Sequence, residues 1–242
     1  MPRFFKENFA AEPVLTGADA SHIARSLRMR VGEQLTVCDS RGTDFDCVIT
    51  ALSPEQVTLQ IECEHPAESE PDIAVTLCTC LLKGDKFETV LRHSVELGVS
   101  EILPVLSTNC VSRPDAKSLK SKSERWQKIA NEAAGQCGRG ILPTVRETLS
   151  LPDLAKTFLD YDLVLFFYEV GGHPLGETMW EYDTAKKIAI ITGPEGGFTA
   201  EEAAMLEQAG AKTISLGKRI LRAETAPLAA LSCVMLLTDN LE

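Results

Sequence analysis

From Ile73 onward the chain alternates two kinds of segment, and that alternation constrains the fold more than any other feature. Residues 73–82, Glu101–Leu106, 162–168, Lys187–Thr192 and 212–216 are short and apolar on both faces. Between them apolar residues fall at helical spacing. Phe87, Val90, Leu91 and Leu97 precede Gly98, and Trp126, Ile129, Ala130, Ala133 and Cys137 share one face of a helix predicted over 119–137. A strand that is apolar on both sides must be covered on both, and strand–helix alternation supplies that cover through crossover connections. The expected fold for residues 73–242 is therefore α/β, a parallel sheet with helices packed on it.

The first 70 residues follow a different pattern. Residues 34–39 and 44–50 read as short strands joined by a turn at 39–42, and 56–62 alternates polar and apolar as a half-buried strand does. Residues 21–29 are predicted as one short helix. Several short strands in so few residues suggest a small barrel. Residues 64–72 are polar and acidic and contain Pro66 and Pro71, so they read as a linker. Two domains are expected, 1–70 and 73–242.

Composition removes several classes of function. At 44% hydrophobic and 24% charged residues the chain is an ordinary globular one. No apolar run approaches the roughly 20 residues that span a bilayer. The N-terminal residues Met1-Pro-Arg-Phe-Phe-Lys6 carry no signal core. A cytoplasmic protein without a membrane contact is expected. The eight cysteines form no C-x-x-C pair and no zinc spacing. They read as small buried hydrophobes, and no metal is expected. A net charge of −11 argues against a nucleic-acid partner, because phosphate binding is driven by Lys and Arg. The cations nevertheless cluster. Residues 111–146 hold eight Lys/Arg against three Asp/Glu, and His22-Ile-Ala-Arg-Ser-Leu-Arg-Met-Arg30 is a second basic stretch. Charge alone leaves solvated faces and a phosphate-binding surface equally open.

In open parallel sheets ligands bind at the carboxyl ends of the strands. Three loops leave strands in that sense: 167–169, 192–199 and 216–226. The second has Gly193, Gly196 and Gly197 directly after a strand, followed by Thr199 and Glu202 as a capping box. Glycines allow unusual backbone angles and close approach of a ligand. They equally suit a tight strand-to-helix turn, and neither phosphate-loop pattern is present. The third loop sets Lys218, Arg219 and Arg222 close to Glu224, ahead of a helix apolar over most of its surface. Arg222 and Glu224 form either a reactive pair or a structural ion pair. The helix belongs in a core or a subunit interface.

Gly193-Pro-Glu-Gly-Gly197 followed by Leu216-Gly-x-Arg-Ile-Leu-Arg-x-Glu-Thr-Ala226 resembles the bacterial 16S ribosomal RNA (uracil-N3) methyltransferases of the SPOUT superfamily. Further matches are His22-Ile-x-Arg-x-Leu-Arg-Met29, Lys83-Gly-Asp-Lys-x-Glu88, Glu96-Leu-Gly-Val99 and Glu132-Ala-Ala-Gly-Gln-Cys-Gly-Arg139. The resemblance implies a PUA-like RNA-binding β-barrel at the N-terminus. It implies a SPOUT-type parallel sheet with a C-terminal trefoil knot after it, and a homodimer. It also implies S-adenosylmethionine (SAM) as methyl donor and N3 of a uridine in 16S rRNA of the small ribosomal subunit as acceptor. The acidic overall charge departs from what an rRNA enzyme needs, so the basic clusters would have to meet the phosphates.

On this resemblance the cofactor site comprises Phe167, Tyr168, Thr192, Gly193, Pro194, Glu195, Gly196, Gly197, Leu216, Gly217, Ile220 and Leu221. Ile220 and Leu221 would cover the adenine faces. Methylation of N3 requires loss of its proton, and Arg222 would stabilise the resulting anion as an oxyanion donor does. Glu224 would act as base or orient Arg222. No covalent nucleophile is needed, so Cys137 and Cys233 are expected to be bystanders. N3 lies on the pairing edge, so the base must be unpaired or flipped out. Arg25, Arg28, Lys83, Lys86 and Arg139 are the candidate RNA contacts. Two alternatives remain at this point: a SPOUT methyltransferase acting on another RNA position, and a non-catalytic RNA-binding dimer.

Overall fold

The structure, a computed structural model, describes residues 1–241. The chain forms two compact units, Met1–Glu70 with Ala134–Leu142, and Pro71–Ala133 with Pro143–Glu242.

The first unit is a five-stranded curled sheet. Its strands are β1 (Arg3–Phe5), β2 (Val14–Thr16), β3 (Gln34–Cys38), β4 (Thr43–Leu52) and β5 (Gln56–Pro66), in the order β1-β3-β4-β5-β2. Only β1 runs parallel to its neighbour. The β3–β4 turn forms as predicted: Asp39 Oδ1 accepts from the amides of Arg41 and Thr43. The predicted helix at 21–29 is instead a short α1 (Ala18–Ser21) running into a π-helical turn, His22–Ser26. Phe9, Ile23, Leu35, Val37, Ile49 and Val57 fill the core of this unit without exposure.

The linker expected at 64–72 is corrected by the structure. Residues 64–66 continue β5, paired with β4 through Pro66. Glu70 is an anchor rather than part of a solvated spacer. It holds the Arg139 guanidinium by Nε–Oε1 at 2.9 Å and Nη2–Oε2 at 2.7 Å, and its Oε1 also accepts from the amides of Gly140 and Ile141. Burial alone would raise the Glu70 carboxyl, but the hydrogen bonds and charge of Arg139 and those two amides outweigh it and hold it below its usual range.

The second unit contains the sheet that the strand–helix alternation predicts. Its strands are β6 (Ala74–Cys80), β7 (Glu101–Leu106), β8 (Thr144–Val145), β9 (Leu149–Ser150), β10 (Leu163–Phe167), β11 (His173–Pro174), β12 (Lys187–Thr192) and β13 (Lys212–Ser215). The order is β11-β13-β10-β12-β6-β7-β8, with β9 also on β7, and every pairing is parallel. The helices are α2 (Lys86–Glu96), α3 (Ala116–Cys137, whose last residues belong to the first unit), α4 (Leu151–Ala155), α5 (Leu175–Glu181), α6 (Ala200–Gln208) and α7 (Ala226–Leu237). Strand side chains such as Leu77, Leu103, Leu165, Phe166, Ile190 and Ile191 are fully buried, as a sheet covered on both faces requires. Among the described residues no helix is long and apolar enough to cross a membrane.

The cysteines are all free thiols but not all buried: Cys63 and Cys233 are exposed. Burial pushes the Cys78 thiol up to about 12. Cys110 departs from the inert pattern, drawn down to about 6 chiefly by its hydrogen bond with Cys80 and then by those from Ser107.

Candidate active site

Strands β13, β10 and β12 are adjacent and parallel, so their carboxyl ends deliver all three predicted loops to one side of the sheet. There the loops enclose a cavity of about 320 Å³. Phe167, Tyr168, Thr192, Gly193, Pro194, Glu195, Gly197, Leu216, Gly217, Ile220 and Leu221 line it, together with Arg222 and Glu224. Gly196 is the one expected cofactor residue outside the wall.

The floor is rigid. Thr192 Oγ1 donates to Thr79 Oγ1 at 3.0 Å in the buried seam between β12 and β6. Phe166 stacks on Tyr168 and meets Phe198 edge-on, which fixes the entry to two of the loops. After the glycine loop, α6 begins with the predicted capping box: Thr199 Oγ1 accepts from the Glu202 amide, and Glu202 Oε2 accepts from the Thr199 amide.

The glycines owe their smallness to protein neighbours more than to ligand approach. A β-carbon on Gly196 would lie 2.9 Å from Asn109 Cβ and 3.3 Å from its carbonyl oxygen, and one on Gly193 would lie 2.8 Å from the Phe198 ring. Gly197 has φ +67°, a left-handed backbone that favours glycine, and it faces the movable Glu169 carboxylate. The tight-turn reading therefore holds for the loop itself, and the cavity is the space the turn leaves.

Asn109 is a residue that sequence reasoning missed. Its Nδ2 donates to the carbonyl oxygens of Gly196 and Gly197, both at 3.1 Å, and the neighbouring Thr108 amide donates to Glu202 Oε1 at 2.7 Å. The segment after β7 thus clamps the glycine loop from below. The available signal was position: Asn109 follows a strand end in the same parallel sheet.

The charged wall is mixed. Lys86, Lys218, Arg219 and Arg222 face Glu169, Glu195 and Glu224. Glu195 Oε1 accepts from the Lys83 amide at 3.0 Å. Arg222 is exposed, and among the described residues its guanidinium makes no hydrogen bond; its carbonyl accepts from the amides of Thr225 and Ala226 as the chain turns into α7. Glu224 is engaged elsewhere, with Lys86 Nζ 3.1 Å from its Oε2. Its own amide and the Lys86 ammonium, followed by the charge of Arg222, hold its carboxyl below the usual carboxylate range. A carboxylate held ionised in this way is a poor proton acceptor, which disfavours the base role expected for Glu224, and its hydrogen bond goes to Lys86 rather than to Arg222, so it could orient Arg222 only through their shared loop.

The candidate RNA contacts divide. Arg25, Arg28 and Lys83 are exposed. Lys86 lies in the cavity wall. Arg139 is corrected: its side chain is only 4% exposed and is held by Glu70, so it serves the first unit's core rather than presenting a surface to phosphates.

The cavity suits a cationic nucleoside. Apolar Leu216, Ile220 and Leu221 lie beside main chain and a carboxylate, Glu169, that can meet positive charge. Gly217, at φ +93° with nothing within 4 Å of a β-carbon position, leaves backbone open to a flat ring.

Comparison with known proteins gives consistent matches. A family model described as an RNA methyltransferase domain matches residues 68–235, and one described as an RNA methyltransferase PUA domain matches residues 15–62. Ribosomal RNA small subunit methyltransferase E of Bacillus subtilis (strain 168) is 33% identical over 253 residues, covering 100% of this chain and 98% of the relative. The protein of that name from Mesomycoplasma hyopneumoniae (strain 232) is 31% identical, covering 94% and 96%. The crystal structure of a Ribosomal RNA small subunit methyltransferase E from Neisseria gonorrhoeae bound to S-adenosyl methionine superimposes with a TM-score of 0.89 at 30% identity, covering 98% of each chain.

Proposed function

Because the chain belongs to the ribosomal RNA small subunit methyltransferase E family, we propose that it methylates N3 of one uridine in 16S rRNA, with SAM as donor. The observation that carries this reading is the single cavity in which the glycine loop, the 216–224 loop and an uncommitted guanidinium converge. When bound, SAM supplies the methyl group from a sulfonium whose sulfur keeps the bonding pair and leaves as a neutral thioether.

The chain's own residues account for the rest. Main chain at 193–195 and 216–217 binds the adenine edge, with Ile220 and Leu221 against its faces. Glu169 offsets the positive charge of the cofactor. The uracil N3–H bond breaks, the proton passes to water, and the freed lone pair forms the N–CH3 bond. Arg222 stabilises the charge that develops on the uracil oxygens. Arg25, Arg28 and Lys83 contact phosphates, which answers the acidic overall charge with local cations. Residues 1–70 bind RNA as a PUA-like domain, and 73–242 form the methyltransferase domain with the trefoil knot of the SPOUT fold. The enzyme works in the cytoplasm as a homodimer. Leu236 and Leu237 on α7 are 53% and 47% exposed, and Trp180 on α5, which packs on α7, is 83% exposed; a second copy would cover these apolar side chains.

Nucleoside mass spectrometry of 16S rRNA, treated with the purified protein and SAM, tests this function. A single 3-methyluridine is the expected product. Methylation at another base atom or ribose would move the assignment to a different RNA methyltransferase, and no methylation would leave an RNA-binding dimer.

A further inference from the structure

The turn at residues 83–86, between β6 and α2, touches both cofactor loops. The Lys83 amide donates to Glu195 in the glycine loop, and the Lys86 ammonium pairs with Glu224 in the 216–224 loop. Lys86 opens α2, and Phe87 behind it is buried against Trp126 with ring centroids 4.5 Å apart, so the turn stands on a fixed base. Helix α2 also packs on α7, the helix that Glu224 immediately precedes. The Lys86 and Glu224 side chains are 36% and 27% exposed, partly withdrawn from solvent inside the cavity wall.

We propose that Lys86 is a positioning residue, not an RNA phosphate contact: its ammonium fixes Glu224, and through Glu224 the turn that aims Arg222 at the uracil. This rests on the methyltransferase reading. Glu224 and Arg222 are two residues apart, and the Arg222 carbonyl closes the turn that contains Glu224 by accepting from Thr225 and Ala226. A carboxylate released from Lys86 would be free to swing to the Arg222 guanidinium, the nearest cation in its own loop, and neutralise it. Lys86 therefore serves two ends, holding the loop and leaving the Arg222 charge for the substrate.

Lys86→Met is expected to lower kcat about 10- to 100-fold, the scale of a misplaced catalytic group, with the KM for RNA unchanged. Lys86→Arg should restore most of the rate, because it keeps a cation within reach of Glu224. Lys86→Met combined with Glu224→Gln should be no slower than Glu224→Gln alone, since the two act through one contact. The slope of log RNA affinity against log salt should not change. A slope reduced by about 0.7 with kcat preserved would make Lys86 a phosphate contact and overturn the proposal. Multiplying losses in the double variant would also overturn it. A second readout needs neither RNA nor SAM. The Glu224 carboxyl, followed by carbon NMR, should titrate at higher pH in Lys86→Met than in the unsubstituted protein, and an unmoved titration contradicts the pairing even where the RNA substrate has been misassigned.

Discussion

Arg222→Ala is expected to slow methyl transfer by about 10²–10³-fold, the cost of removing one preorganised donor to a developing anion, while SAM binding is kept. The separation follows from the geometry. The Arg222 side chain is exposed and, among the described residues, its guanidinium makes no hydrogen bond, whereas its backbone carbonyl closes the turn into α7. Alanine preserves the backbone bonds and removes only the cation. Uracil N3 then has to lose its proton without the Arg222 guanidinium to stabilise the anion. Single-turnover transfer from radiolabelled SAM measures the rate, and calorimetric titration measures the cofactor. A variant with full activity would remove Arg222 from the chemistry. A variant that no longer binds SAM would place it in the cofactor site.

Glu70→Ala is expected to cost about 3–5 kcal/mol of stability, read as the shift in a urea denaturation curve, because it removes one member of a buried ion pair. The Arg139 side chain is 4% exposed and that of Glu70 14%, and the same carboxylate accepts from the Gly140 and Ile141 amides. A contrasting pair is Glu88–Arg125, where the arginine is 67% exposed; Arg125→Ala should cost less than about 1 kcal/mol. The Glu70 contribution depends on pH in a definite sense. Its carboxyl is held below 4.5 in the folded state, so the stabilisation is fully present above that value. It is lost as pH falls through the lowered value, and the stability gap between the two proteins should shrink in acid.

The parallel sheet was readable because its strands are apolar on both faces and bounded by charge. Glu101–Leu106 and Lys187–Thr192 have the predicted ends, and the Thr199–Glu202 cap was visible as a local pattern. The three loops could be grouped because parallel strands send their carboxyl ends to one side. What stayed hidden depends on partners far away in sequence. Glu70 looked like linker because acidic, proline-flanked sequence usually is, and nothing local points to Arg139, 69 residues on. Arg139 looked like a surface cation for the same reason. Asn109 and Lys86 act on loops about 90 and 140 residues distant, and no periodicity encodes such a contact. Gly196 was assigned to the ligand, whereas its smallness answers to Asn109.

The structure of the protein crystallised with SAM is the most direct measurement. The adenine should lie among Gly193, Leu216, Ile220 and Leu221, with the methyl group directed toward Arg222. SAM bound in any other cavity, or its methyl group turned away from that guanidinium, would contradict the assignment of this site.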